Sequence, residues 1–173
     1  MLEAAKYSVV MVLRNGLRVE IRALRPDDRA DLIAAVGRTS AQSFYRRFFG
    51  VRRDFTEQEI AFFSAVDFID HVALVAVVEE GGRPTIVGGG RYIVVQPGKA
   101  EVAFAVIDQY QGQGIGAMLM HHLAVIARSA GLQELIAEVL PDNISMLKVF
   151  EKSGLDISTK RRSGGMYVTL RLP

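Results

Sequence analysis

A run with three alternating glycines, Gln111-Gly112-Gln113-Gly114-Ile115-Gly116, has the composition and spacing of a ligand-binding turn. It lies between an apolar, strand-like run at 102–107 and a helix-like run that begins near Ala117. Glycine lets backbone N–H groups approach a ligand because no Cβ stands in the way. A helix N-terminus adds unpaired N–H donors and a partial positive charge. The run therefore predicts a cradle for a phosphate or pyrophosphate group.

A carboxylate at the start of the preceding strand has the chemistry for proton transfer. Side chains alternate along a strand, so Glu101, Ala103 and Ala105 share one face, and the two alanines leave room for a substrate. Glu101 is therefore a candidate general base, because a carboxylate beside open space can accept a proton from a nucleophile, directly or through a water. The alternative is a strand-end carboxylate that pairs with a surface Lys or Arg.

The composition excludes several other kinds of site. The length of 173 residues and the apolar fraction of 50% indicate one globular domain, 1–173, with a full core. The absence of cysteine excludes a thiolate nucleophile and cysteine-ligated zinc. His71, His121 and His122 do not form a metal-ligand pattern, because adjacent residues on a helix point in different directions. No metal site is therefore predicted.

Charge and hydropathy narrow the range of partners. The net charge of +2 is too small to indicate nucleic-acid binding. No apolar run approaches the ~18 residues of a membrane span, and the short apolar run at 9–13 lacks the pattern of a signal peptide. The sequence therefore predicts a soluble, cytoplasmic protein, monomeric or dimeric, that binds neither nucleic acid nor membranes.

Turn and periodicity signals predict the strands that position these residues. Asn15-Gly16, between two apolar runs, indicates a type I′ hairpin. Glycines 88–90 indicate a bulge or a close backbone approach inside a strand. The predicted strands lie at 17–24, 72–78, 85–95, 100–107, 133–140, about 155–160 and about 166–172.

The predicted helices lie at 26–37, 40–49, about 57–66, 115–130 and from Asp142 or Asn143 to about 153. The helix at 115–130, with Gly131 as its C-cap, connects the strands on either side of it into a β–α–β unit. Those two strands should be parallel and joined by a right-handed crossover. The fold class is therefore α/β, with a mixed, mostly antiparallel central sheet and helices on both faces.

Known phosphate-binding motifs differ in how well they fit this turn. The P-loop requires Gly-Lys-Ser/Thr, which does not occur in the sequence. A Rossmann fingerprint, G-x-G-x-x-G/A, is matched by Gly112, Gly114 and Ala117, with Glu134 about twenty residues on. However, antiparallel strands precede the turn, and too few residues follow it for a doubly wound parallel sheet. The context therefore disfavours a dinucleotide site.

A third motif, Q/R-x-x-G-x-G/A, fits both the spacing and the strand order. Gln111, Gly114 and Gly116 match it, and the turn resembles the signature of the GNAT N-acetyltransferase superfamily. The resemblance covers nearly the whole chain and includes Asn143 with the later segment 150–154, which is similar to the family's second motif. It implies a GNAT fold, in which the parallel strand pair splays apart, and acetyl-coenzyme A (acetyl-CoA) as the cofactor.

The segment Ser43-Phe44-Tyr45-Arg46-Arg47-Phe48-Phe49 resembles the S-x-Y-x-R-F-F segment of bacterial Pat-type protein lysine acetyltransferases. That resemblance implies a protein lysine as the acceptor, on a partner such as an acyl-CoA synthetase. It also implies a glutamate base at the place of Glu101. In that group the catalytic domain is often fused to a second domain. An arginine at 46 or 47 could meet an acidic patch on a protein substrate.

The family resemblance also implies roles for the remaining site residues. The amides of 111–116 would bind the pyrophosphate, and the backbone of Ala105, Val106 and Ile107 would meet the pantetheine arm. The N–H of Val106 would polarise the thioester carbonyl. Asn143 matches an asparagine that often bonds the pantetheine, although it is equally a helix N-cap candidate. Phe150 stands where many members carry a proton-donating tyrosine, so it is expected to pack against the cofactor or the core.

The favoured function is direct transfer of an acetyl group from acetyl-CoA to a protein lysine, without a covalent acyl-enzyme. A second enzyme function, with a small amine such as a polyamine or an aminoglycoside as acceptor, would be favoured by a deep acidic pocket. A non-catalytic sensor that binds acyl-CoA is the alternative from a different class. Loss of turnover with retained cofactor binding in Glu101→Gln would separate the enzyme from the sensor.

Overall fold

A mixed sheet forms the centre of the protein in a computed structural model, which describes residues 3–38, 66–140, 143–162 and 164–173. The strands are β1 (Ser8–Val12), β2 (Arg18–Ala23), β3 (His71–Glu80), β4 (Arg83–Gln96), β5 (Lys99–Val106), β6 (Glu134–Val139), β7 (Asp156–Arg162) and β8 (Gly165–Arg171). The helices are α1 (Arg29–Gly37), α2 (Ile115–Ser129) and α3 (Ile144–Glu151), with short 3-10 turns at Ala4–Lys6, Pro26–Asp28 and Asp108–Tyr110.

The strand order is β1-β2-β3-β4-β5-β6-β8-β7. Among the described strands, β5 and β6 form the one parallel pair, and all other neighbours are antiparallel. The 15 residues of α2 connect β5 to β6, as a parallel pair requires a crossover. The predicted α/β class, with a mostly antiparallel sheet and a β–α–β unit, is confirmed.

The two faces of the sheet carry different helices. The Phe104 face, which also carries Leu74, Tyr92 and Val102, is covered by α2, and α3 packs beside α2. The Glu101 face is the opposite side, and α1 covers it over β3 and β4, where Leu32 packs on a smaller apolar cluster. Helices therefore lie on both faces, as the sequence predicts.

Glycines in β4 allow α2 to lie close to the sheet. A Cβ at Gly90 would stand 2.9 Å from Leu123 Cδ1 of α2 and 3.1 Å from Phe104 Cβ. The register between β3 and β4 shifts at Ala76/Val77, which is the bulge that glycines 88–90 indicated. Both predicted reasons for these glycines are therefore observed.

The first hairpin differs from its prediction. The amide of Leu13 donates to the carbonyl of Leu17 at 2.8 Å, and the amide of Gly16 donates to the carbonyl of Leu13 at 2.9 Å. Within 13–17 only Gly16 has a positive φ, at 86°, whereas a type I′ turn requires a positive φ at both central residues. The type I′ prediction is wrong, because the connection is a three-residue loop with a left-handed glycine at its end.

The helices predicted at 40–49 and 57–66 lie almost entirely outside the described residues, as does the segment with Tyr45, Arg46 and Arg47. The other predicted helices are observed within a few residues of their expected bounds. Gly131 follows α2 with a φ of 84°, the left-handed conformation of a helix C-terminus.

Two buried histidines determine an expected dependence of stability on pH. Nδ1 of His122 is hydrogen-bonded to the hydroxyl of Tyr7, and burial, with His121 nearby, lowers the pKa of His122. Burial, with the positive charge of Arg91, lowers the pKa of His71 from 6.5 to about 4. The neutral forms are therefore favoured in the fold. The contribution of His71 to stability is complete above pH 6.5 and is lost as the pH falls towards 4, and that of His122 is lost in the same direction.

We therefore expect the free energy of unfolding to decrease between about pH 7.5 and about pH 5, measured by urea denaturation. His122→Gln should flatten this slope. The same substitution at His121, which is exposed on α2, should leave most of the slope in place, because burial is the larger cause of the lowered pKa of His122. A protein that became more stable on acidification would contradict the assignment.

Candidate active site

The glycine turn presents a set of backbone donors at the start of α2. Gly114 is the N-cap, with a φ of 99°, and Gly112 also has a positive φ, at 76°. The first bond of the helix runs from the amide of Met118 to the carbonyl of Gly114, at 3.0 Å. The amides of 115–117 therefore have no acceptor within the helix, and they converge with the positive end of its dipole. This is the geometry of an anion-binding turn.

Side chains from distant parts of the chain support this turn. Gln111 Nε2 donates to the carbonyl of Val106 at 2.9 Å. Asn15 Nδ2, in the first hairpin, donates to Gln113 Oε1 at 3.1 Å. A Cβ at Gly114 would lie 3.9 Å from Leu13 Cδ2, an ordinary contact. The two glutamines therefore brace the turn through their side chains, while its backbone amides remain the groups suited to a ligand.

A cleft of about 340 Å³ opens between the end of β5, the turn and α3. Its lining includes most of the predicted cofactor-binding residues, namely Ala105, Val106, Gln111, Gly112, Gly114, Ile115, Gly116 and Asn143. The other lining residues are Phe104, Tyr110, Ala117, Ser145, Met146, Lys148, Val149 and Lys152. The structure thus brings the glycine turn and the last helix, more than twenty residues apart in sequence, to one cavity.

Three of the predicted residues do not line this cleft. Ile107 is buried in the core, and Gln113 contacts the first hairpin. The ring of Phe150 is fully buried and lies edge-on to the ring of Phe104, with 5.6 Å between the centroids. Phe150 was expected to pack against either the cofactor or the core, and the structure places it in the core.

Asn143 is buried and caps α3. Its Oδ1 accepts a hydrogen bond from the amide of Met146 at 3.2 Å. This bond satisfies one of the free donors at the helix start. The side chain therefore fixes the end of α3 that borders the cleft.

Two lysines in the cleft were not singled out from the sequence. Lys148, in α3, and Lys152, directly after its last residue, line the cleft and are exposed. Their spacing of four residues on a predicted helix places them on one face, which was the available signal. Their charges add to the positive potential of the turn, so the cleft suits a ligand with several phosphates.

Tyr110 is the one tyrosine among the described residues that line the cleft. Its hydroxyl donates to Glu80 Oε2 at 2.6 Å, and the same carboxylate accepts two bonds from Arg38, at 2.8 and 3.0 Å. The hydrogen bond to Glu80 raises the pKa of Tyr110. This hydroxyl is therefore held by the scaffold and is poorly suited to donate a proton.

Strands β5 and β6 pair at three positions and then separate. The last pair is Glu101 with Ile136, and no pairing between the two strands continues beyond it. Val106 lies further along, beside the cleft. The sheet therefore opens into a V whose vertex is at Glu101.

The register with β4 determines which amides face the opening. The amide of Ile107 donates to the carbonyl of Val87 at 2.9 Å, so the odd-numbered residues of β5 bond to β4. The N–H and C=O groups of Phe104 and Val106 consequently point away from β4, towards the gap left by β6. An extended ligand arm lying in this gap would meet them as a strand would.

Glu101 is exposed on the face opposite Phe104. Its register partner on β4 is Ile93, and Arg91 lies one diagonal step away on the same face. Burial lowers the pKa of Arg91, and the negative charge of Glu101 acts in the opposite direction. His71, the partner of Ile93 on β3, lies in the same row. The Glu101 face thus combines a solvent-accessible carboxylate with a neighbouring cation and a neutral imidazole.

Neither a metal centre nor a bilayer-spanning segment is found in the part of the chain that the structure describes. Its His, Asp and Glu residues form no group of three that could hold a metal ion. No described helix combines the length and apolar character that crossing a bilayer requires.

Comparison with known proteins identifies the fold and the family. The sequence profile of the Acetyltransferase (GNAT) family matches residues 38–155. The chain belongs to the GNAT acetyltransferase family. Acetyl-CoA is the acetyl donor of this family, so the predicted enzyme class and cofactor are confirmed. The turn, the cleft and the two lysines fit the diphosphate and the extended arm of that molecule.

Similar proteins include two curated acetyltransferases. Acetyltransferase Pat of Mycolicibacterium smegmatis is 36% identical over 146 residues, which cover 82% of this chain and 42% of that protein. Acetyltransferase PA5475 of Pseudomonas aeruginosa is 33% identical over 124 residues, 71% of this chain and 67% of that protein. The chain therefore spans less than half the length of the mycolicibacterial relative.

The structure also resembles the crystal structure of the GNAT domain of S. lividans PAT. The TM-score is 0.86 at 32% sequence identity, over 95% of this chain and 97% of that domain. The predicted GNAT fold and the likeness to Pat-type acetyltransferases are confirmed.

Proposed function

We propose that this chain acetylates a lysine side chain of a protein substrate, with acetyl-CoA in the cleft and Glu101 as the general base. The observation that carries the proposal is the position of Glu101, which is exposed at the vertex where β5 and β6 separate. The likeness to two proteins named Pat supports a protein lysine as the acceptor.

Each part of the site has one task in this proposal. The amides of 115–117, at the positive end of α2, bind the pyrophosphate, and Lys148 and Lys152 add positive charge beside it. The backbone of Ala105 and Val106 holds the pantetheine arm in the gap between β5 and β6. When bound, acetyl-CoA supplies an acetyl group activated as a thioester.

The chain's own residues then control the proton and the developing charge. Glu101 accepts a proton from the incoming ammonium, directly or through a water, so that the amine has a free electron pair. The N–H of Val106 donates to the thioester carbonyl and stabilises the negative charge that forms there. With acetyl-CoA bound, the amine would attack the carbonyl carbon, the C–S bond would break, and the second proton of the nitrogen would pass through solvent to the departing sulfur. The transfer is direct in this proposal, and the sequence contains no cysteine that could form a thioester acyl-enzyme.

Incubation of the protein with radiolabelled acetyl-CoA and a cell lysate tests the acceptor class. We expect label in a protein band, near the mass of an acyl-CoA synthetase if the Pat-type resemblance extends to the substrate. Hydroxylamine, which removes acetyl groups from esters and thioesters, should leave the label in place because an amide resists it. Label that appears in small amines alone would contradict the proposal.

A further inference from the structure

The end of the edge strand β7 carries two cations on the same sheet face as Glu101. We propose that Lys160 and Arg162, here named the cationic lip, bind acidic side chains that flank the acceptor lysine. The proposal rests on the function above and specifies its substrate class: a lysine bordered by Asp or Glu.

The strand registers place the lip on the Glu101 face. Glu101 pairs with Ile136, which pairs with Thr169, which in turn pairs with Ser158 of β7. Residues two positions apart on a strand share a face. Two positions beyond Ser158 is Lys160 and four beyond is Arg162, so both project from the face of Glu101. Paired residues of neighbouring strands share a face as well, which makes this assignment independent of side-chain conformation.

The cationic lip also lies at the end of the sheet at which β5 and β6 separate. Strand β6 runs parallel to β5, and its last residue, Val139, pairs with Met166, whose partner on β7 is Arg161. The end of β7 therefore lies at the same end of the sheet as the end of β6, with β8 between them, and the V between β5 and β6 opens at that end. A segment crossing the V with its lysine at Glu101 would extend over this end of β7 and β8.

The charges of the lip are not compensated within the described part of the chain. Lys160 and Arg162 are exposed, and neither forms an ion pair there. The guanidinium of Arg162 lies over the ring of Tyr167, 4.3 Å from its centroid, which orients it on this face. The carboxylate in register with the lip is that of Glu138, which pairs with Tyr167, the register partner of Lys160. Among the described residues at this end of β7, one carboxylate against two cations leaves a net positive charge.

Two other roles for these cations make different predictions. Charged residues on an edge strand discourage pairing with other chains, and Arg161 would serve that role as well as its neighbours. A role in cofactor binding would require the cations to lie on the Phe104 face, because the cleft opens there. Arg161 lies on that face, since successive residues of a strand alternate between the two faces. Arg161 is therefore an internal control for both alternatives.

The test uses two synthetic peptides that each contain one central lysine, flanked by Asp and Glu in the first and by Ser and Gln in the second. We expect the unaltered protein to show a kcat/KM about tenfold higher for the acidic peptide at low salt. This preference should shrink as the salt concentration rises, because exposed charges are screened. Lys160→Gln/Arg162→Gln should abolish the preference while the KM for acetyl-CoA stays unchanged.

The charge-matched control is Arg128→Gln/Arg161→Gln, which removes two exposed cations away from the lip. It should retain the preference. Equal use of both peptides by the unaltered protein, or equal effects of the two double variants, would overturn the inference while acetyl transfer persisted. Failure of the unaltered protein to acetylate either peptide would instead contradict the proposed function. A raised KM for acetyl-CoA in the lip variant would assign these cations to the cofactor and also overturn the inference.

Discussion

Glu101→Gln is expected to lower kcat for a lysine peptide by about 10²- to 10⁴-fold, the usual contribution of a general base. The Kd for acetyl-CoA should change by less than about twofold, because Glu101 lies on the face opposite the cleft and does not line it. The amide of Gln cannot accept the proton, although it has nearly the same shape. Steady-state turnover and isothermal calorimetry would measure the two quantities on the same preparation.

The pH dependence of the residual activity gives a second readout. Without a base, the reaction depends on the small fraction of free amine, which grows about tenfold per pH unit below the lysine pKa of about 10.4. Glu138→Gln is the matched control, since Glu138 is an exposed carboxylate on the same face, across the opening. Normal turnover in Glu101→Gln, or a loss confined to Glu138→Gln, would refute the assignment of the base.

Gly114→Ala is expected to weaken acetyl-CoA binding by about 10- to 100-fold, roughly 1.4–2.8 kcal/mol. The reason is the backbone, because a φ of 99° is unfavourable for any residue with a Cβ. A Cβ at this position would itself find room, with Leu13 Cδ2 at 3.9 Å. The turn must therefore relax, and relaxation redirects the amides of 115–117. Calorimetric titration with acetyl-CoA would measure the change.

Gly131→Ala is the control at the other end of the same helix. Gly131 has a φ of 84°, and a Cβ there would meet no atom within 4 Å. The substitution should therefore impose a similar backbone strain and a similar loss of stability, about 1–2 kcal/mol, with unchanged affinity for acetyl-CoA. Equal loss of affinity in both variants would attribute the effect to a weakened helix and would contradict the role of the turn.

The local parts of the site could be predicted from the sequence. The glycine turn and the cap at Asn143 each depend on residues within a few positions of one another, and the parallel strand pair follows from the strand–helix–strand order. Their signals are steric and periodic, so a single sequence carries them. The hairpin at Asn15-Gly16 shows the limit of such signals, because the dipeptide indicates a turn whereas its type depends on the whole loop.

The non-local parts could not be predicted. The hydrogen bond between Asn15 and Gln113 joins residues 98 positions apart, and neither segment carries a sequence pattern that indicates contact with the other. The burial of Phe150 depends on its contact with Phe104, which requires the packing of α3 beside α2. The proximity of Arg91 to Glu101 similarly follows from the register of β4 with β5. The hydrophobic pattern does not determine this register, because a shift by two residues keeps every side chain on the same face.

The division of the sheet into two faces has a consequence for how this protein can change. Phe104 lines the cleft and also packs on the fully buried Phe150, so a substitution there changes the shape of the cleft and the stability of the protein together. Lys160 and Arg162 are exposed at an edge, where replacements typically alter stability by less than about 0.5 kcal/mol. If acceptors bind at this edge as proposed, substitutions there can change acceptor preference at little cost in stability, whereas residues that line the cleft on the other face are constrained by the core.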